Sequence, residues 1–229
     1  MSRLDLYDKR IKSLQKVQKE CSEICDIYKK TKRFLLRGSN NTYYGYQYLT
    51  PREDRRPKDM DSTVHKLLDD AFHKLYGWKP RSQGVFCTSD IMEVSNNYGL
   101  PYIIFPVNGF KYIWSSSIED LYGNEFDSVK WNEMSYNYWQ SKHKSSGPVK
   151  QTIAGWTKDL KKEQAELEDW HTFLIDKIQT IVLKYQDTNI EEAIRKRNEV
   201  SLKCKGYYMA EYEENVTEIM DALGMEYDI

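Results

Sequence analysis

The sequence predicts an α+β fold on three observations. Two long stretches carry apolar residues at helical spacing: Leu4, Tyr7, Ile11, Leu14, Val17, Cys21, Ile24 and Tyr28 first, then Trp156, Leu160, Leu167, Trp170, Leu174, Ile178, Ile181 and Tyr185. Between them, Gly84 to Val107 spells strand, short helix, strand. Tyr102 to Val107 and Phe110 to Trp114 also flank Asn108-Gly109, the dipeptide that permits positive φ, and so read as an antiparallel hairpin. A chain of 229 residues with 40% hydrophobic content can bury a sizeable core. The expectation is a single domain over 1–229, with an N-terminal helix within 1–31 and a helical insert at 150–186.

Composition narrows the classes of partner. Lysine and arginine number 34 against 35 acidic residues, so the formal net charge is −1 and any nucleic-acid site must be a local patch. No apolar run reaches the ~18 residues of a membrane span, and MSRLDLYDKR is too charged for a signal-peptide core, so no membrane association and a cytoplasmic location are expected. Cys21, Cys25, Cys87 and Cys204 lack both CxxC spacing and the density of a disulfide framework, and read as reduced thiols.

Taken in order, the first stripe makes one amphipathic helix of about seven turns, either a brace or a partner-binding face. Phe34 to Ser39 reads as a buried strand delivering a cation, Arg37, and a bare backbone, Gly38, to its exposed end. The loop that follows mixes Arg52, Arg55, Arg56 and Lys58 with Glu53, Asp54 and Asp59. It reads as a solvated loop with local ion pairs, with a phosphate-binding or substrate-facing loop as the alternative. Asp61 caps a helix with the stripe Val64, Leu67, Leu68, Ala71, Phe72 and Leu75, which Gly77 ends; His65 and His73 lie off that stripe and are expected at the surface.

At Gly84 to Tyr98, Asp90 and Glu93 give the capping pattern of a short helix closed by Gly99 and Pro101. Thr88, Ser89 and Tyr98 fall near the strand-to-helix turn, where free backbone N–H groups can meet a polar ligand. Ser116 to Tyr122 reads as one or two helical turns, and Gly123 to Pro148 as irregular chain. Its Trp131, Tyr136, Tyr138 and Trp139 either stack bases or cover a core. The second long helix is expected to pair with the first. A short helix at Glu191 to Lys196 then leads into a strand at Arg197 to Cys204, continued by Tyr207 to Ala210, with the carboxylate of Glu199 near its start.

Arg37-Gly38-Ser39, GVFCTSDIMEVSNNY at Gly84 to Tyr98 and NEVSLK at Asn198 to Lys203 together resemble, in order, the three motifs of the ADP-ribosyltransferase superfamily. The resemblance implies a split mixed β-sheet core with the long helices outside it, NAD as ADP-ribose donor, and catalysis by Glu199 with Arg37. It implies that the Gly38 backbone binds the nicotinamide amide, that Tyr98 stacks on the ring, and that Arg37, Ser39, Phe86 and Thr88 or Ser89 hold the rest of the dinucleotide. Chemically, a carboxylate beside the ribose suits a bond cleavage that develops an oxocarbenium ion. Cys87 stands where the family has a serine, and Arg197 stands two residues before Glu199, where relatives that modify arginine carry Gln or Glu. An anionic acceptor is therefore favoured over arginine. The expected activity is mono-ADP-ribosyl transfer to a macromolecule, RNA or DNA or protein, by a toxin or phage-defence effector, with an antitoxin or regulatory protein docking on the long helices. The related tRNA phosphotransferase chemistry is disfavoured, because the sequence offers only Arg37 as a clear phosphate ligand. The alternative is a non-catalytic nucleotide-binding or interaction module of the same fold.

Overall fold

The computed structural model describes residues 3–56, 60–126, 128–142 and 160–226. The first apolar stripe forms α1 (Arg3–Glu20) and α2 (Ser22–Thr31), two helices rather than the single one expected. They meet at Cys21, whose φ and ψ of −125° and 31° leave the helical basin and whose thiol donates to the Phe105 carbonyl at 3.3 Å. The apolar face runs on across the break, since Cys21 N–H still bonds the Val17 carbonyl and Cys25 N–H the Cys21 carbonyl. Val17, Ile24 and Tyr28 are fully buried. At about 1.5–3 kcal/mol for each such side chain, burial in the core accounts for this part of the stripe.

Next come β1 (Leu36–Ser39), β2 (Gln47–Leu49) and α3 (Ser62–Tyr76). The Asp61 carboxylate accepts from the N–H groups of Thr63 and Val64 to start α3, and Gly77 at φ 76° closes it. The chain continues through α4 (Pro80–Gln83), β3 (Val85–Cys87), α5 (Ile91–Asn97), β4 (Leu100–Pro106) and β5 (Lys111–Ser115). Ser116 to Asp120 is bend and coil rather than helix, and a π-helical turn at Tyr122–Phe126 leads to α6 (Ser128–Lys142), where irregular chain was expected. Tyr138 on α6 is buried against Trp170 and Phe173 of α7 (Leu160–Val182), which is the core-covering alternative for that aromatic. Trp156, expected to open the second long helix, lies outside the described residues. β6 (Tyr185–Gln186), α8 (Ile190–Lys196), β7 (Val200–Lys203), β8 (Tyr207–Glu211) and α9 (Tyr212–Leu223) complete the order.

The strands form two four-stranded sheets, ordered β1-β4-β8-β2 and β3-β7-β5-β6. Every pairing of named strands among the described residues is antiparallel, so the mixed sheet that the resemblance implied is not what forms. Nor do β4 and β5 make a hairpin: β4 lies between β1 and β8, while β5 lies between β7 and β6. Asn108-Gly109 is a turn, with Gly109 at φ 80°, but it steps the chain from one sheet to the other. Its polar groups are taken by the α1–α2 junction instead of a cross-strand partner. Asn108 N–H donates to the Glu20 carbonyl, its amide oxygen accepts from Glu23 N–H, and Gly109 N–H donates to the Glu23 carboxylate. In the same way β8 does not continue β7 but crosses to the first sheet. Among the described residues a single antiparallel bridge joins the sheets, with Leu36 N–H to the Thr88 carbonyl at 2.7 Å and Thr88 N–H to the Leu36 carbonyl at 3.0 Å.

Two apolar clusters form the core. One holds α1, α2, α8, α9, the first sheet and, from the second sheet, Val85, Cys87, Trp114, Val200 and Leu202, with Tyr28, Leu35, Ile103, Ile104 and Met209 at its centre. The other packs α3 on α7 through Val64, Leu68, Phe72, Ile178 and Ile181. The second long helix thus pairs with α3 and not with the N-terminal pair, and Leu167, expected on its buried stripe, is exposed. None of the described helices is long and apolar enough to cross a membrane.

Candidate functional site

Where β1 parts from β3, on either side of the Leu36–Thr88 bridge, the chain leaves a cleft of about 430 Å³, within the range of small-molecule sites. Arg37, Gly38, Phe86, Thr88, Tyr98 and Glu199 all line it. Ser39 and Ser89 do not. The Ser39 hydroxyl accepts from Asn41 N–H at 3.1 Å, and the Ser89 hydroxyl donates to the Ile194 carbonyl of α8.

On the β1 side, Arg37 is half-buried and makes no ion pair among the described residues. Gly38 is required by close approach, but of protein rather than ligand: an added Cβ would fall 2.3 Å from the Tyr98 Cβ and 2.5 Å from its carbonyl oxygen. Tyr98, at the C-terminus of α5, is 52% exposed, and burial of its hydroxyl pushes the phenol up to about 12. At the other end of α5 the expected free N–H groups are occupied, since the Asp90 carboxylate accepts from Met92 and Glu93 at 2.9 and 3.1 Å. Thr88 donates through its hydroxyl to the Arg197 carbonyl at 2.7 Å and accepts from Asp90 N–H, tying the end of β3 to the segment that precedes Glu199.

Glu199 comes immediately before β7, the strand between β3 and β5, and its N–H donates to the Glu119 carbonyl at 2.8 Å. Its neighbour Val200 faces Cys87 and Trp114 across the sheet, so the Glu199 backbone is anchored by the strands on both flanks. The carboxylate lies 3.6 Å from the Arg81 guanidinium, with only 23% and 15% of the two side chains exposed. Burial raises the Glu199 carboxyl to about 7 against the pull of Arg81; Asp120 adds to the rise and Arg55 opposes it. Cys87 is buried, its thiol pushed up to about 12 by that burial, so it stays neutral behind the site.

Arg81 and Arg55 are the residues that the motif reading missed. Their guanidiniums lie 4.5 and 4.6 Å from the centre of the Phe86 ring. Arg81 is set by its backbone: its N–H donates to Asp69 at 2.8 Å, while the Ser82 hydroxyl donates to the other oxygen of that carboxylate. His65 joins them, with Nε2 3.2 Å from the Ser82 hydroxyl, and is 8% exposed rather than at the surface as expected. Its hydrogen-bond partner Ser82 arrives from α4, 17 residues on, while Asp69 stands 3.6 Å away at i+4 on α3 itself, so the apolar stripe along α3 holds no sign of Ser82. Burial lowers the imidazole below its usual value; Asp69 opposes this, and the cations of Arg81 and Arg55 add to it. His65 is therefore neutral at pH 7. Since the Ser82 proton goes to Asp69, the Ser82 oxygen is left to accept from His65 Nε2–H.

The loop before α3 divides between its two readings. Arg52 and Asp54 make an exposed pair at 3.6 Å, but Arg55 N–H donates to the Ser82 carbonyl at 3.2 Å and the side chain turns in to Phe86. Burial, then the like charges of Arg37 and Arg81, lower the Arg55 guanidinium to about 10. Pro57, Lys58 and Asp59 lie outside the described residues. Arg197 closes α8 at φ 62° and makes an exposed pair with Asp90 at 3.5 Å.

No family model matches the chain, and no curated protein or solved structure matches it.

Proposed function

We propose that the protein is a mono-ADP-ribosyltransferase that takes ADP-ribose from NAD, releases nicotinamide and modifies a macromolecular acceptor. One observation carries this reading: Glu199 shares a cleft with Arg37, Phe86, Thr88 and Tyr98, contributed by segments more than a hundred residues apart. In this reading Glu199 holds the nicotinamide ribose and stabilises the positive charge that grows on it as the bond to nicotinamide breaks. Tyr98 supplies a half-exposed ring for the nicotinamide, and Arg37, unpaired among the described residues, meets the negative charge of the dinucleotide. Arg81 keeps the carboxylate placed and partly ionised near neutral pH. Ser39 and Ser89 act as turn residues and not as ligands. A toxin or defence setting rests on the motif resemblance alone.

The test is label transfer from NAD with a tagged adenine in cell lysate, read separately after protease and after nuclease, with Glu199→Gln as control. Label that resists protease and yields to nuclease identifies a nucleic-acid acceptor, and the reverse a protein. No label and no free nicotinamide, with either form, would sink the transferase and leave a nucleotide-binding module.

A further inference from the structure

We propose that Arg55 and Arg81 form a phosphomonoester site beside Glu199, which receives the terminal phosphate of a nucleic-acid acceptor. Its role as acceptor site rests on the transferase reading above. Of the three arginines that meet in this corner, only Arg81 has an ion-pair partner among the described residues. Arg37, Arg55 and Arg81 act on one another closely enough for the first and third to depress the second. Arg81 has Glu199 as its ion-pair partner, whereas Arg55 pairs with no carboxylate among the described residues. Buried Arg55 Nη1 and Arg81 Nε also lack hydrogen-bond partners there. Phe86 fixes where both guanidiniums sit without occupying any N–H group, so their donors stay available to a doubly charged, multi-oxygen ligand.

Position separates Arg81 from a site for the donor's diphosphate. Arg81 is 3.6 Å from the carboxylate that faces the reacting end of the ribose, while the diphosphate hangs from the far carbon of that sugar. An anion on Arg55 and Arg81 is therefore placed to attack. The chemistry balances without a base: an anionic phosphate oxygen bonds to the ribose anomeric carbon, the bond from that carbon to the ring nitrogen breaks, and its electron pair leaves with neutral nicotinamide. No proton has to be removed. This fits a site with a cation, Arg197, two residues before the glutamate. Exposed Arg56 and Arg197 line the same cleft outside the buried pair, Arg197 already paired with Asp90, so Arg56 is the further cation that a polynucleotide backbone would meet and a lone phosphorylated side chain would not.

Fluorescence anisotropy without NAD tests the site directly. The probes are a labelled oligonucleotide with a 5′-phosphate, one with a 3′-phosphate, and a hydroxyl-ended one lengthened by two nucleotides to match total charge. The intact protein should prefer one phosphate-ended form by about tenfold or more, and Arg55→Gln, with its fold checked by circular dichroism, should erase that preference. Should that variant not fold, the intact protein suffices: inorganic phosphate at matched ionic strength should displace the phosphate-ended probe and spare the other. Equal binding of all ends overturns the site. Nicotinamide release without end preference overturns the phosphate acceptor alone, and end preference without nicotinamide release overturns the transferase while the phosphate site stands.

Discussion

On the β1 side of the cleft the residues that face a ligand are loosely held: Arg37 and the exposed ring of Tyr98, with Gly38 packed under α5. The β3 and β7 side is built the other way. There Glu199, Arg81, Arg55 and Phe86 are braced from behind by Asp69, Ser82 and His65, and Asp69 is 2% exposed. The first side can adjust to a bound molecule by side-chain motion, whereas the second is preorganised by a buried polar network whose members hold one another in place. Charge that must stand at a fixed point in a reaction belongs on the second side.

Substitutions can break this contrast. The largest effect is expected for Glu199→Gln, which should lower the rate of nicotinamide release by about 10²–10³ while leaving the fold intact. Retention of full activity would remove Glu199 from the chemistry. Asp69→Ala should come next, because it strips the partner from the Arg81 N–H and the Ser82 hydroxyl. We expect a loss of about 2–3 kcal/mol in denaturant unfolding, and a change below about 0.5 kcal/mol would show that the braced side is not braced by Asp69. Gly38→Ala tests the other side by steric means, since its Cβ must displace α5. Its expected cost is about 1–3 kcal/mol, visible as a lower melting temperature.

A pH series sharpens the contrast without mutation. Folding raises the Glu199 carboxyl from 4.5 to about 7, so the folded chain keeps a proton that the unfolded chain releases in that window. The stabilising contribution is fully present below the unfolded value and is lost as pH rises through about 7, on the order of 3 kcal/mol in all. Activity should run the opposite way, rising as the carboxylate ionises. Glu199→Gln should flatten the stability slope; an unchanged slope would assign it to another group. The smallest effect is expected for Arg197→Gln, whose exposed pair with Asp90 contributes about 0.2–1 kcal/mol at most and weakens with salt.

Much of the local structure was legible. Asp61 and Gly77 bound α3 as read, Asp90 caps α5, and the strands at Leu36, Val85 and Val200 carry the three motifs. These features depend on neighbours within a few residues. Some failures are local, the break at Cys21, the coil at Ser116 to Asp120 and the helix at Ser128–Lys142 among them, and the rest concern choice of distant partner. Asn108-Gly109 has the chemistry of a hairpin turn, but whether its flanking strands pair is settled by β1, β7 and β8 competing for their edges. His65 was misplaced because it lies off the apolar stripe, and a polar residue can be buried only when partners such as Asp69 and Ser82 arrive to satisfy it.

The sequence by itself determined most of the helices and strands outside Ser116 to Lys142, where many of them start and stop, and which residues could act on a dinucleotide, because capping, periodicity and motif spacing are local properties. Only the tertiary structure decided that the strands divide into two antiparallel sheets, that Arg55 and Arg81 meet over Phe86, and that Glu199 is held near neutrality in its titration. Those outcomes depend on burial and on charges brought together from far along the chain, and both come into being only when the core closes.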